Sequence, residues 1–152
     1  MLERYSLAKS FGFTAVECAF PYDIPIEKLK QAKESNGLEQ VLINTFPGSS
    51  LGFAALIGQE DAFMSSLEKS IQYCTALNCT RLHIMSGKIS DDFQGSEEVL
   101  KKNLTKALPL LEKAGIVGLI EPINPYWVHT LTSMWLNWGG QFHLVEKFFK
   151  IS

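Results

Sequence analysis

Apolar positions along this chain switch between two spacings. After the breaker Gly12, residues 13–19 (Phe-Thr-Ala-Val-Glu-Cys-Ala) have the make-up of a strand. Residues 26–35 read as a short helix, stopped by Asn36-Gly37, a natural left-handed C-cap. Residues 38–44 contain Val41-Leu42-Ile43, a compact run suited to a strand buried on both faces. A loop passes through Pro47-Gly48. Glu60-Asp61 then opens a helix with acids at its positive end. Phe63, Leu67, Ile71 and Cys74 recur on one face of that helix. Residues 81–85 predict a third strand, closed by Ser86-Gly87. Ser96 as N-cap predicts a helix carrying Leu100, Leu104, Ala107, Leu108 and Leu111 on one face, kinked by Pro109 and ended by Gly115. Residues 116–121 complete a fourth strand, followed by Pro122.

Strand–helix alternation predicts an α/β fold with a parallel sheet and right-handed crossovers. An open doubly wound sheet and a (β/α)8 barrel both fit. The absence of G-x-G-x-x-G and P-loop motifs counts against nucleotide binding. Beyond Pro125 the character changes. All three tryptophans lie there, Glu146, Lys147 and Lys150 are its only charged side chains, and the strand–helix rhythm stops. The sequence therefore divides into a domain of residues 1–124 and an aromatic-rich tail of residues 125–152. Trp127, Leu131, Trp135, Trp138, Phe142, Val145 and Phe149 recur at near-helical spacing in that tail, interrupted by Gly139-Gly140.

A net charge of -2 gives no electrostatic case for nucleic acid, and no basic cluster suggests a lipid surface. No apolar run is long enough for a signal peptide or a membrane span, so the expected setting is cytoplasmic. Cys18, Cys74 and Cys79 lack the paired spacing of a zinc site and read as free thiols in a reducing compartment. Asn78-Cys79-Thr80 and Asn103-Leu104-Thr105 match the glycosylation pattern, which carries little weight without a secretory signal.

Glu121 is the leading chemical candidate. It ends an apolar strand before a proline, and in (β/α) folds the C-terminal strand ends face the active site. A carboxylate buried there must pair with a metal or cation or stay protonated; the competing role is a loop cap or a lysine pair. Glu17 is placed similarly within its strand and is expected to form an ion pair inside the barrel. Asn44 ends its strand where an amide can bond a polar substrate, although asparagine is also a common turn residue. His83 sits inside a strand, where a histidine is more often a hydrogen-bonded core residue; facing the barrel, it can orient a carboxylate or carbonyl. His129 and His143 are too isolated to read as a metal pair.

Gly12-Phe13-Thr14-Ala15-Val16-Glu17 and Leu119-Ile120-Glu121-Pro122-Ile123-Asn124 together resemble the hydroxypyruvate isomerase family of the xylose-isomerase-like (β/α)8 TIM barrels. Phe20-Pro21-Tyr22, Val41-Leu42-Ile43-Asn44 and Arg81-Leu82-His83-Ile84-Met85-Ser86-Gly87 support the match, which runs from the start of the chain to Asn124. The glycine-phenylalanine…glutamate motif is shared widely among these barrels, whereas Glu-Pro-Ile-Asn is more specific to this family. The resemblance implies a partial barrel of about strands two to five with their helices, the chain beginning within the first helix. It implies interconversion of hydroxypyruvate and tartronate semialdehyde by enediolate proton transfer, using two glutamates and a divalent metal, magnesium or manganese. Glu121 matches the first of those glutamates and a metal ligand; the second lies on later strands and is not assignable here.

A partial barrel leaves strand edges and an inner face unpaired, which predicts low stability alone or self-association. The tail is expected to come from a truncated isoform, by alternative splicing or a shifted frame, and to pack poorly. Two other functions fit. One is a catalytically inactive variant acting only through protein–protein association. The other is a sugar epimerase or isomerase of the same barrel group, because the same acid/base carboxylate serves both reactions. A zinc endonuclease of that group is disfavoured, since the barrel-like region offers one histidine where a metal cluster takes several.

Overall fold

The computed structural model describes residues 1–88 and 92–121, and the backbone of Phe142–Leu144. Its elements are α1 (Leu2–Ser10), β1 (Ala15–Cys18), α2 (Ile26–Ser35), β2 (Glu39–Asn44), α3 (Glu60–Leu77), β3 (Arg81–His83), α4 (Phe93–Ala114), β4 (Val117–Ile120) and β5 (Phe142–Leu144), and those from β1 to β4 follow the predicted order. All five strands are parallel and neighbour one another in sequence order. Helices α2, α3 and α4 are the crossovers between consecutive strands, the arrangement of a partial (β/α)8 barrel.

The two faces of the sheet have different fates. Ile43 and Leu82 are register partners and are fully buried, as is most of Ile120. They join one apolar core with Leu29 of α2, Phe63 and Leu67 of α3, and Leu104 and Leu111 of α4. The opposite face carries the row Asn44, His83 and Leu119, paired across β2, β3 and β4. Of these, His83 is buried while Asn44 and Leu119 remain half-buried. The helix-facing side thus supplies most of the hydrophobic stabilisation, and the inner side carries the polar groups.

Helix ends show how local chemistry sets the element lengths. Gly37 takes φ +59° after α2, as its glycine predicts. Asn78 ends α3 at φ 52°, and the next amide, of Cys79, donates to the Cys74 carbonyl at 2.9 Å. The Lys33 ammonium, buried on α2, donates to the last α3 carbonyl, Leu77, at 2.8 Å. Gly115 closes α4 in the left-handed conformation.

Several expectations are corrected. Asp92, not Ser96, caps α4: its Oδ1 accepts from the Gly95 amide at 2.9 Å, so the helix starts a turn earlier and Ser96 is buried within it. As expected, the helix continues past Pro109 and ends before Gly115. Glu17 is exposed on β1, and the salt bridge seen among the described residues is Lys101–Glu97 instead. Solvent supplies what the expected internal ion pair was to provide. A further strand, β5, occurs beyond Pro125, and Phe142–Leu144 pairs with Gly118–Ile120 rather than extending a helix. The rest of the aromatic pattern, and the boundary between residues 124 and 125, lie outside the described residues.

Cys74 and Cys79 are buried, Cys18 is half-buried, and all three are free thiols. Asn103 is fully buried and donates to the Ala54 carbonyl at 3.0 Å, which leaves it inaccessible as a glycosylation acceptor. No helix among the described residues is long and apolar enough to cross a membrane.

Candidate functional site at the C-terminal strand ends

Parallel pairing brings the ends of β2, β3 and β4 side by side, and with them Asn44, His83 and Glu121. His83 Nδ1 lies 3.2 Å from Asn44 Oδ1. With the proton on Nδ1 the imidazole donates to the amide oxygen, leaving Nε2 as an acceptor. Glu121 lies two residues past Leu119, so strand alternation returns it to the face of His83. Burial lowers the His83 pKa, and the neighbouring Glu121 carboxylate acts in the opposite direction. Glu121 is half-buried rather than enclosed.

Backbone and side-chain bonds fix this row. The Thr45 amide donates to the His83 carbonyl at 2.8 Å, and Thr45 Oγ1 accepts from the Met85 amide at 3.0 Å. Ile84 is tied to β4 through the Leu119 carbonyl at 2.8 Å. The Tyr22 hydroxyl donates to the Asn44 carbonyl and lies 3.0 Å from Ser70 Oγ. Burial raises the Tyr22 pKa, so the phenol keeps its proton and remains a donor. Ser70 Oγ also accepts from the Phe46 amide at 2.9 Å, and Ser66 Oγ donates to the Phe46 carbonyl at 2.7 Å. Thr45, Ser66 and Ser70 escaped the sequence reading. Their signal was two buried serines one turn apart on the core face of α3.

The loop between β2 and α3 folds against the loop after β3, forming a rim beside these strand ends. Gly52 and Ser86 make an antiparallel bridge, the Ala55 amide donates to the Ser86 carbonyl at 2.9 Å, and the Lys88 amide donates to the Ser50 carbonyl at 3.1 Å. Gly52 sits at φ +114°, and a Cβ there would meet the Met85 carbonyl oxygen at 2.3 Å. Gly52→Ala is therefore expected to cost more than about 1 kcal/mol and to loosen the rim. Faster hydrogen exchange at the Ala55 and Lys88 amides, with a lower melting temperature, is the expected readout. Unchanged exchange at both amides would contradict it.

His83 also sets a pH dependence. Its folded pKa is lowered, so below the unfolded value of about 6.5 the unfolded chain binds a proton that the folded chain resists. Stability is then fully present above about pH 6.5 and falls as pH drops toward the folded pKa. His83→Gln is expected to flatten the pH dependence of the melting temperature below that point. An identical pH slope in the variant would contradict the assignment.

Among the described residues no three His, Cys, Asp or Glu side chains converge into a metal site. Glu121 offers one hard oxygen donor, of the kind magnesium and manganese prefer. The described residues do not by themselves hold such an ion.

The family described as xylose isomerase-like TIM barrel matches residues 5–136. The chain belongs to that family. A Danio rerio protein carrying a provisional hydroxypyruvate isomerase name is 43% identical over 132 residues, covering 80% of this chain and 48% of its own. A Cupriavidus necator protein named 2-oxo-tetronate isomerase is 34% identical over 129 residues, covering 81% and 50%. Among solved structures, one titled AP endonuclease, family 2, from Brucella melitensis superposes with a TM-score of 0.84 at 31% identity, covering 94% of this chain and 61% of that one. The chain spans about half the length of the curated relatives it matches. This xylose isomerase-like chain thus matches relatives with names for two different substrates.

Proposed function

We propose that this chain carries part of an isomerase site for short hydroxy-oxo acids, hydroxypyruvate first, with Glu121 as the proton-transferring base. The observation that carries the reading is three polar side chains, Asn44, His83 and Glu121, at consecutive parallel strand ends, with His83 bonded to Asn44 at 3.2 Å. In hydroxypyruvate, C3 lies beside the C2 carbonyl. A carboxylate there removes a C3 proton, giving an enediolate, and a proton returned to C2 yields tartronate semialdehyde. His83 and Asn44 would hold substrate oxygens as hydrogen-bonding partners. Glu121 would be this chain's donor to a magnesium or manganese ion, which would stabilise the developing oxyanion. A glutamate on a later strand would return the proton in a full-length relative.

The test is direct conversion of hydroxypyruvate by the purified full chain, with and without magnesium or manganese, followed by NMR. A panel including ketoses separates an epimerase from an acid isomerase. Turnover of ketoses with none of hydroxypyruvate would move the assignment to the epimerase. The Brucella title names an endonuclease, but the strand ends of β2 to β4 bring one imidazole, His83, where zinc clusters take several. Three free cysteines suit a reducing, cytoplasmic setting and a small-molecule substrate.

A second reading, a partner-binding form, rests on the open edge of the described sheet, a feature both readings share. In the described sheet, β1 pairs with β2 alone, and Phe11 and Phe13 beside it are 73% and 60% exposed. Such an edge recruits a second copy. Sedimentation is expected to show a concentration-dependent dimer or larger species, weakened by Phe13→Lys. A monomer at every concentration would remove the argument for association.

A further inference from the structure

A cavity of about 370 Å³ lies between the rim loop and the first turn of α4, on the same side of the sheet as the strand ends. Its walls combine Phe53, Leu56 and Ile57 with Ser49, Lys88 and Ser96. The rim is built to keep this shape. Phe53 packs over Gly48, where a Cβ would overlap its ring, and Ile57 packs against Gly95 of α4. Ser96 is only 2% exposed and lines the cavity. Its hydroxyl can both donate to and accept from a ligand's polar atom. Asp92 is already engaged as the α4 cap through Gly95, which leaves Lys88 as the cation among the lining residues.

We propose that this cavity is a binding subsite for the anionic end of a polyhydroxylated small molecule, a carboxylate or a phosphate. Lys88 takes the charge, Ser96 and Ser49 take hydroxyls, and the apolar wall takes the carbon skeleton. Volumes of roughly 300 Å³ and above accommodate ligands well beyond three carbons. The subsite therefore selects longer sugar acids or sugar phosphates over hydroxypyruvate. It rests on reading the strand ends as an isomerase site, but binding is measurable without turnover.

The experiment titrates the full chain with D-gluconate, sorbitol 6-phosphate and sorbitol, which share one polyol skeleton and differ in the end group. Saturable binding of at least one anion, tighter than sorbitol, is expected. Lys88→Gln should weaken it roughly tenfold, as loss of one charge-assisted hydrogen bond implies. Ser96→Ala should weaken it less. The better of the two anions identifies the end group. Glu121→Gln should leave binding intact, so parental turnover in that variant would sink the isomerase reading alone, and absence of anion binding by the parent chain would sink the subsite alone. Equal affinity for sorbitol and the anions, no effect of Lys88→Gln, or no saturable binding would each overturn the subsite. Lys88 is exposed, so its variant tests the proposal without endangering the fold.

Discussion

Glu121→Gln is expected to lower hydroxypyruvate turnover by roughly 10²–10⁴-fold, the usual contribution of a positioned acid or base. The amide has nearly the same shape and cannot take the C3 proton. Glu121 is half-buried just past the end of β4, so the substitution leaves no cavity and should leave the unfolding free energy within about 0.5 kcal/mol of the parent. Its effect is then chemical rather than structural. The neighbouring carboxylate raises the His83 pKa against the lowering by burial. Removing it should therefore move the His83 titration further down, visible in the imidazole NMR shifts. A variant with parental turnover, or an unmoved His83 titration, would show that Glu121 does not sit where the strand register places it.

Leu82→Ala is expected to carry the largest stability cost. Leu82 is fully buried at the centre of β3, between β2 and β4 and against the helices. Large-to-small substitutions at such sites cost about 2–5 kcal/mol, a large share of a typical domain margin of about 5–15 kcal/mol. Leu119→Ala lies on the opposite, half-buried face and should cost less than half as much. Denaturant unfolding of both variants compares the two faces directly. Equal losses would mean that the inner face is as fully packed as the outer one, contrary to the partial barrel described here.

Much of this was legible because apolar spacing and caps are local. The α2 and α4 ends were visible in Gly37 and Gly115, and the strand before Glu121 in its continuous apolar run. Asn44, His83 and Glu121 were legible as strand-end candidates; the register pairs Asn44 with His83 and His83 with Leu119, and Glu121 follows two residues beyond Leu119, just past the end of β4. What sequence did not reveal depends on long-range geometry. Ser96 fits an N-cap by type, but Asp92 reaches Gly95 first. Glu17 fits a buried strand by neighbours, but β1 lies at the sheet edge, where its carboxylate meets solvent. The hold of Tyr22 and Ser70 on residues 44–46 joins positions 22, 44, 46 and 70, and no local pattern encodes it. The β5 pairing, likewise, links a tail segment to β4 through register alone.

The central claim is that Glu121 acts as a base beside a carbonyl even where only part of the barrel is present. One carboxylate suffices to remove a C3 proton and return a deuteron to the same carbon, whereas net isomerisation needs delivery to C2. The most direct measurement is therefore proton NMR of hydroxypyruvate in deuterium oxide with the full chain and added magnesium or manganese. The prediction is loss of the C3 proton signal faster than in buffer with the metal alone, and abolished in Glu121→Gln. A folded sample that leaves the C3 protons at the buffer rate, or a Glu121→Gln variant that exchanges them as fast as the parent, would contradict it.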